Sequence, residues 1–262
     1  MRSLDEIKLF LLDMDGTVYL GEKLFPSAVP FLNKVREIGA EYQFLTNNSS
    51  KDKGAYLEKL AGMGIACDGR RLMTSGDAAI DFLVNERAAK SVFLVGTTAL
   101  ADAFASAGIE LRDYNDADIA VVGFDTQLNY YKLRGLYAMV SEGKEYICTH
   151  PDLVCPTENG FIPDIGATIA YIRALTGRGP DLVIGKPERY MIDAAAKRFS
   201  VDVSETAMVG DRLYTDIAMA DRAGATSVLV LSGETKAEDL AKSAVQPDYV
   251  FEDLSGITEA LK

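Results

Sequence analysis

Short apolar runs alternate along this chain with stretches in which apolar residues recur every three or four positions. The first pattern is that of strands buried on both faces, the second that of amphipathic helices, and their alternation predicts a parallel α/β sheet. IKLFLL (7–12) reads as the first strand. SAVPFLNKVREIG (27–39) reads as a helix with Ser27 at its N-cap and Gly39 past its end. YQFLT (42–46) is a strand, and 50–64 and 74–89 are helices. The middle repeats the alternation: strand 91–96, helix 98–108, strand 118–124, helix 131–143, strand 145–149. HPDLVCPTENGFIP (150–163) is rich in proline and reads as loop with a short hairpin, followed by a helix at 166–177. The last third gives a strand at 181–185, a helix at 187–199 with Pro187 in its first turn, a strand at 205–211, a helix at 215–224 and a strand at 225–233. A final helix, strand and helix close the chain. GRGP (177–180) has the composition of a hinge, which places an inserted α/β domain at 80–180 between two halves of a core, 1–79 and 181–262.

In open α/β sheets, ligands sit beyond the carboxyl ends of the strands. Four polar clusters fall at that position, each directly after an apolar run: DMDGT (13–17), TNNSS (46–50), GKP (185–187) and GDRLYTD (210–216). Two carboxylates at Asp13 and Asp15, at the mouth of a buried strand, repel each other unless a cation lies nearby. Hard oxygen ligands of this kind suit Mg²⁺, which keeps waters and takes substrate phosphate oxygens. Asp211 and Asp216 complete an acidic cup, and Lys186 is a compact positive charge able to partner a phosphate. Thr46 offers a hydroxyl donor. The backbone N–H groups of Thr46, Asn47 and Asn48, at a strand-to-helix turn, form an anion cradle. Cation ligands beside phosphate donors point to phosphoryl transfer. Asp13, fixed at the strand end, is placed to attack phosphorus. Asp15, past the strand end, is placed to protonate the leaving oxygen and then to deprotonate water.

Composition narrows the picture without changing it. The 262 residues are 48% apolar and 25% charged, with mean hydropathy near zero, as in a globular protein with a substantial core. The net charge of −12 argues against a broad nucleic-acid or anionic-membrane surface and requires that a cation and local donors reverse the field for a phosphorylated ligand. Three cysteines, Cys67, Cys148 and Cys155, supply no disulfide framework and fit a reducing compartment. No run reaches the roughly 18 apolar residues of a membrane span, so a cytoplasmic location is the expectation.

DMDGT, TNNSS, GKP and GDRLYTD, in this order, resemble the four motifs of the haloacid dehalogenase (HAD) superfamily. TNNSS, GKPE and the insertion between the second and third motifs resemble its subclass IIA, the NagD-like branch, which includes p-nitrophenyl phosphatases. The resemblance covers nearly the whole chain. It implies a Rossmann-like core with an α/β cap, Asp13 as nucleophile and Mg²⁺ ligand, and Asp15 as acid/base that also offers the metal its backbone carbonyl. It implies that Thr46 and the Asn47 amide hold phosphate, that Lys186 neutralises charge, that Asp211 ligates Mg²⁺, and that Asp216 supports the metal or Lys186. Two positions depart from the pattern. Thr149-His150 stands where relatives often carry Thr-Asn, and Pro163-Asp164 where they often carry Pro-Gly.

The function expected is therefore a Mg²⁺-dependent phosphatase acting on a small phosphomonoester of the nucleotide, sugar-phosphate or pyridoxal-phosphate type. Asp13, Asp15, Thr46 and Lys186 are expected to be catalytic, with His150 facing the site from a cap loop among the substrate-binding residues. The alternative is a phospho-accepting signalling domain or a phosphate-binding domain without rapid turnover. Such a domain has no need of Asp15 or of an inserted cap. Cys148, His150 and Cys155 lack a fourth ligand for zinc, and no G-x-S-x-G elbow accompanies the single histidine. A homodimer through the cap is expected by analogy with relatives.

Overall fold

The computed structural model describes residues 2–51, 53–157 and 160–262, with the side chains of 156 and 157 set aside. The chain divides into two compact units. The first comprises Met1–Thr46, Leu57–Met73 and Lys186–Lys262, the second Asn47–Tyr56 and Thr74–Gly185. The second unit therefore runs wider than the 80–180 stretch read from the sequence.

Among the described residues, the first unit is built on a six-stranded sheet. Its order is Tyr249–Phe251, Thr226–Val230, Thr206–Gly210, Leu9–Asp13, Glu41–Thr46 and Leu72–Thr74, whose last residue opens the second unit. The pairings on both sides of Leu9–Asp13, and those joining Thr206–Gly210 to Thr226–Val230 and on to Tyr249–Phe251, are parallel. Leu9, Phe10, Leu11 and Leu12 are wholly buried, which is why this strand reads as continuous apolar chain rather than as an alternation. Each such side chain contributes roughly 1.5–3 kcal/mol of burial. Phe10 meets Phe31 of the helix Ala28–Glu37 edge to face, with ring centroids 5.6 Å apart.

The second unit has its own four-stranded sheet, in the order Leu182–Val183, Glu145–Cys148, Ile119–Val122 and Val92–Val95, all parallel. Its core gathers Phe93, Val95, Val122, Leu136, Met139, Tyr146 and Ile172 from this sheet and from the helices Tyr130–Ser141 and Ile165–Thr176. The expected hairpin is present as Val154–Thr157 paired antiparallel with Gly160–Pro163.

Several local expectations are corrected. Ser27 is in helical conformation and makes no side-chain cap, and its buried hydroxyl has no hydrogen-bond partner among the described residues. Pro187 precedes the helix Tyr190–Phe199 rather than opening it, and the Lys186–Pro187 peptide is cis. The helix read at 215–224 begins as a wide five-residue turn, Leu213–Ile217, before Ala218–Ala223 continues it. The small hairpin Tyr19–Leu20 with Lys23–Leu24 and the edge strand Leu72–Thr74 were not anticipated, because each is too short to set up a period.

The helix Ser75–Glu86 starts with a reciprocal cap. The Thr74 hydroxyl accepts from Asp77 N–H at 3.0 Å, and Asp77 accepts from Thr74 N–H at 2.9 Å. Thr74→Ala should lower unfolding free energy by about 1 kcal/mol, read from the midpoint of urea denaturation. An unchanged midpoint would show that the helix start is held by other means.

Candidate active site

The parallel register explains how distant residues meet. Leu12 lies opposite Val209, and Asp13 opposite Leu45, so the carboxyl ends of three neighbouring strands bring Asp13, Thr46 and Asp211 to one edge of the sheet in the first unit. Oxygens of Asp13, Asp211 and Asp216 lie within 4.8 Å of one another. Lys186, 3% exposed, donates from Nζ to Asp13 Oδ1 and, at 2.7 Å, to Asp216 Oδ1.

Asp216 reaches this position through the wide turn, in which Ile217 N–H bonds back to the Arg212 carbonyl at 3.2 Å. Widened helical turns of this kind concentrate at functional sites. Its second oxygen, Oδ2, accepts from the Arg212 N–H at 3.2 Å. Both Asp216 oxygens are thus occupied by the protein itself, so Asp216 serves as the seat for Lys186.

Asp211 differs. Oδ2 accepts from Glu234 N–H at 2.7 Å, while Oδ1 is buried without a hydrogen-bond partner among the described residues. An orphaned buried carboxylate oxygen facing a second carboxylate is what a cation ligand looks like in a chain without the cation. The donor set, all oxygen with Asp13 and Asp211 available, fits a hard divalent ion.

Glycines make the close approach feasible. Gly16 has φ 92°, and a Cβ there would fall 2.4 Å from Asp211 Oδ2; a Cβ on Gly210 would fall 2.3 Å from Asp216 Cγ. Gly233, Ser232 and Glu234, on the loop after Thr226–Val230, were missed by sequence reasoning. Ser232 Oγ donates to the Gly16 carbonyl at 2.7 Å, and the Glu234 amide holds Asp211. The signal was present as SGET, a further polar cluster directly after an apolar run.

Asp15 stands apart from the three-carboxylate cluster. Asp15 forms an isolated bridge with Tyr19 at the start of the small hairpin, and Lys59 lies over the Tyr19 ring at 4.2 Å. Burial raises the Asp15 carboxyl above its ordinary value, with Lys59 and Arg212 opposing. Asp13 is pushed up to about 6 by burial against the pull of Lys186. Asp211 is pushed up to about 7 by burial, then by the charges of Asp13 and Asp216. Burial would draw Lys186 down, but Asp13 and Asp216 together carry it above the ordinary lysine value.

The remaining candidates belong to the second unit. Asn47 Nδ2 donates to Asp152 Oδ2 at 3.1 Å, and the Asn47 carbonyl accepts from Ser75 Oγ. The Asn48 side chain accepts from Ser50 N–H at 2.9 Å and lies 3.9 Å from Cys155 Sγ. His150 is fully buried, with Nε2 3.0 Å from Asp164 Oδ1 and Nδ1 against Thr149 and Ser75 hydroxyls. Its ring nitrogens are therefore spent on the protein rather than presented to a ligand. The two positions at which the sequence departs from its relatives' pattern touch each other. Cys148 is buried and Cys155 is half-buried.

Comparison with known proteins identifies the family. A family model described as haloacid dehalogenase-like hydrolase matches residues 10–110, and a HAD-hydrolase-like model matches 183–257. An acid sugar phosphatase of Staphylococcus saprophyticus is 33% identical over 97% of this chain and 98% of its own. The crystal structure of a 4-nitrophenylphosphatase from Thermotoga maritima superposes with TM-score 0.95 at 40% identity, covering 100% of both chains. A glycerol phosphate phosphatase from Mycobacterium tuberculosis, solved in complex with calcium, superposes with TM-score 0.88 at 29% identity, covering 100% of this chain and 77% of that one. The chain belongs to the haloacid dehalogenase-like hydrolases, within their NagD-like phosphatase branch. Among the described residues, no helix is long and apolar enough to cross a membrane.

The raised carboxyls give the metal-free protein a definite pH response. Asp13 and Asp211 hold protons in the fold at pH values where an unfolded aspartate, near 3.8, has lost them. Their contribution to stability is complete below pH 3.8 and declines as pH rises through about 6 and about 7. A cation competes with those protons. The rise in melting temperature caused by MgCl₂ should therefore be small at pH 5 and large at pH 8, as read by thermal-shift titration. Equal rises at both values would remove these carboxylates from the cation site.

Proposed function

We propose that this hydrolase is a Mg²⁺-dependent phosphomonoesterase acting on a small phosphorylated metabolite through an aspartyl-phosphate on Asp13. The observation that carries the reading is the unpartnered Asp211 Oδ1 beside Asp13, with Lys186 clamped between Asp13 and Asp216. Asp13 and Asp211 would hold the ion, together with the Asp15 backbone carbonyl, while Asp216 keeps Lys186 in place. When bound, Mg²⁺ supplies positive charge that lowers repulsion between the carboxylates and an incoming phosphate.

Lys186 engages Asp13 Oδ1, which leaves Oδ2 as the attacking oxygen. Oδ2 forms a bond to phosphorus as the bond from phosphorus to the ester oxygen breaks. Asp15, whose carboxyl burial keeps above the ordinary value, gives its proton to the departing oxygen. It then takes a proton from water, and the water oxygen attacks phosphorus, releasing inorganic phosphate and restoring Asp13. Thr46 holds a phosphoryl oxygen through its hydroxyl. Lys186 offsets the charge that collects on the phosphoryl group. The second unit acts as the cap that selects the leaving group. Its hairpin carries Val154, Phe161 and Ile162 exposed, beside the exposed Leu153. Sugar phosphates, glycerol phosphate and nucleotides fit the size class of substrate.

Asp13→Asn should abolish hydrolysis of p-nitrophenyl phosphate, and EDTA should do the same until Mg²⁺ is restored; full activity of Asp13→Asn overturns the assignment. Asp15→Asn should lower kcat by roughly 10²–10⁴-fold, the usual scale of a lost acid/base. It should also let phosphoenzyme accumulate if hydrolysis of the intermediate becomes limiting, which intact-mass spectrometry reads as one added phosphoryl group.

A further inference from the structure

His150 is the hub of a buried hydrogen-bond chain inside the second unit. Phe124 N–H donates to Ser49 Oγ at 2.9 Å. Ser49 Oγ and Thr149 Oγ1 are 3.0 Å apart, Thr149 Oγ1 and His150 Nδ1 are 3.2 Å apart, and His150 Nε2 and Asp164 Oδ1 are 3.0 Å apart. Each hydroxyl has one hydrogen to give. The Asp164 carboxylate accepts, so His150 Nε2 carries the hydrogen of that link, while the Ser49 and Thr149 hydroxyls can each give or accept along the rest of the chain. Ser75 Oγ lies 3.3 Å from Nδ1 and spends its own hydrogen on the Asn47 carbonyl.

What this chain ties together is specific. Asp164 ends the hairpin: it follows Pro163, its N–H donates to the Leu153 carbonyl at 3.0 Å, and its Oδ1 caps the helix Ile165–Thr176 through Ile165 N–H at 2.6 Å. At the other end sit Asn47 and Ser49, the segment that follows Thr46. Gly185, the residue before Lys186, also joins, because its N–H donates to the Thr149 carbonyl at 2.7 Å. A Cβ at Gly185 would lie 2.6 Å from both Asn47 Oδ1 and that carbonyl. His150 and Asp164 are 0% and 7% exposed, so water does not substitute for either partner at low cost.

We propose that His150, with Asp164, is a positioning residue for substrate selection. It holds the hairpin strands Val154–Thr157 and Gly160–Pro163, the Asn47–Ser49 segment and Gly185, all of the second unit, in one fixed arrangement, and so sets the shape of the surface that reads the leaving group. It acts through its neighbours and touches no substrate. The proposal rests on the phosphatase reading above and on the second unit as the selecting element.

The test uses the full chain with Mg²⁺ and three variants: His150→Asn, Asp164→Ala and Asp164→Asn. Asparagine at 164 keeps an oxygen for both Ile165 N–H and His150 Nε2–H. Alanine removes it. Initial rates on a panel of sugar phosphates, glycerol phosphate, nucleotides and p-nitrophenyl phosphate give KM and kcat for each ester. His150→Asn and Asp164→Ala should raise KM for the best wild-type ester about tenfold or more, with kcat changed less, and should alter the rank order of the panel. Asp164→Asn should keep the wild-type order. Amide hydrogen exchange, which needs no turnover, should accelerate about tenfold or more at Asn48, Ser49, Phe161 and Ile162 in the first two variants and stay at the wild-type rate in the third. A lowered melting temperature with unchanged rank order and unchanged exchange at those amides overturns the proposal, because the pair would then be an ordinary core contact. If wild-type protein hydrolyses no ester on the panel, the phosphatase reading fails and the claim of substrate selection fails with it. The exchange measurement then still decides whether His150 ties these segments together.

Discussion

A single ammonium group carries the architecture of the acidic site. Lys186 is almost fully buried between Asp13 and Asp216, and burial of that kind is tolerable only for an ion fully matched by opposite charge. Asp216 is held on its other oxygen by the Arg212 amide, so its orientation does not depend on Lys186. The lysine can therefore be shared with Asp13 without leaving its seat. Three ionised carboxylates, Asp13, Asp211 and Asp216, exceed the single charge of Lys186 by two. Burial, and then the charges of Asp13 and Asp216, push the Asp211 carboxyl up to about 7, and its Oδ1 has no hydrogen-bond partner among the described residues. A surplus of negative charge beside a carboxylate oxygen of this kind suits a hard cation.

The sheet makes this arrangement precise in a way that loops alone do not. Parallel neighbours end at the same edge, and every residue one step beyond a strand end is displaced by one strand spacing from the next. Close approach is then limited by side-chain bulk. Gly16, Gly210 and Gly233 are the points at which a methyl group would strike Asp211 or Asp216. Their absence of a side chain is part of the carboxylate geometry. The wide turn at Leu213–Ile217 adds the last adjustment, returning Asp216 over the strand end it has just left.

The two units distribute the chemistry unequally. The first contains the acidic cluster and its lysine: Asp13, Lys186, Asp211 and Asp216. The second contains a buried hydrogen-bond chain through His150 and Asp164 and an exposed apolar hairpin. That separation matches the physical demands of the proposed reaction. Phosphoryl chemistry is the same for every ester and calls for fixed electrostatics. Choice among esters calls for a surface whose shape is set independently of those charges.

Much of this was legible from residue order. The continuous apolar run at 9–12 announced a doubly covered strand, and polar clusters directly after such runs located Asp13, Thr46, Lys186 and Asp211, because strand ends are where an α/β sheet exposes chemistry. Short elements escaped: the hairpin at 19–24 and the strand Leu72–Thr74 hold too few residues for periodicity to register, and Ser27 reads as a cap only until the backbone is seen to be helical there. The division of labour among the carboxylates was not legible at all. Asp211 and Asp216 have the same side chain and neighbouring positions, and only the fold assigns one an open oxygen and the other two occupied ones. His150 likewise carried no sign in the sequence of being turned inward onto Asp164. Sequence by itself determined which residue types stand at which strand ends, since periodicity and local chemistry are properties of neighbours along the chain. Tertiary structure alone decided who meets whom, since hydrogen-bond partners 14, 30 or 173 residues apart are chosen by packing in three dimensions.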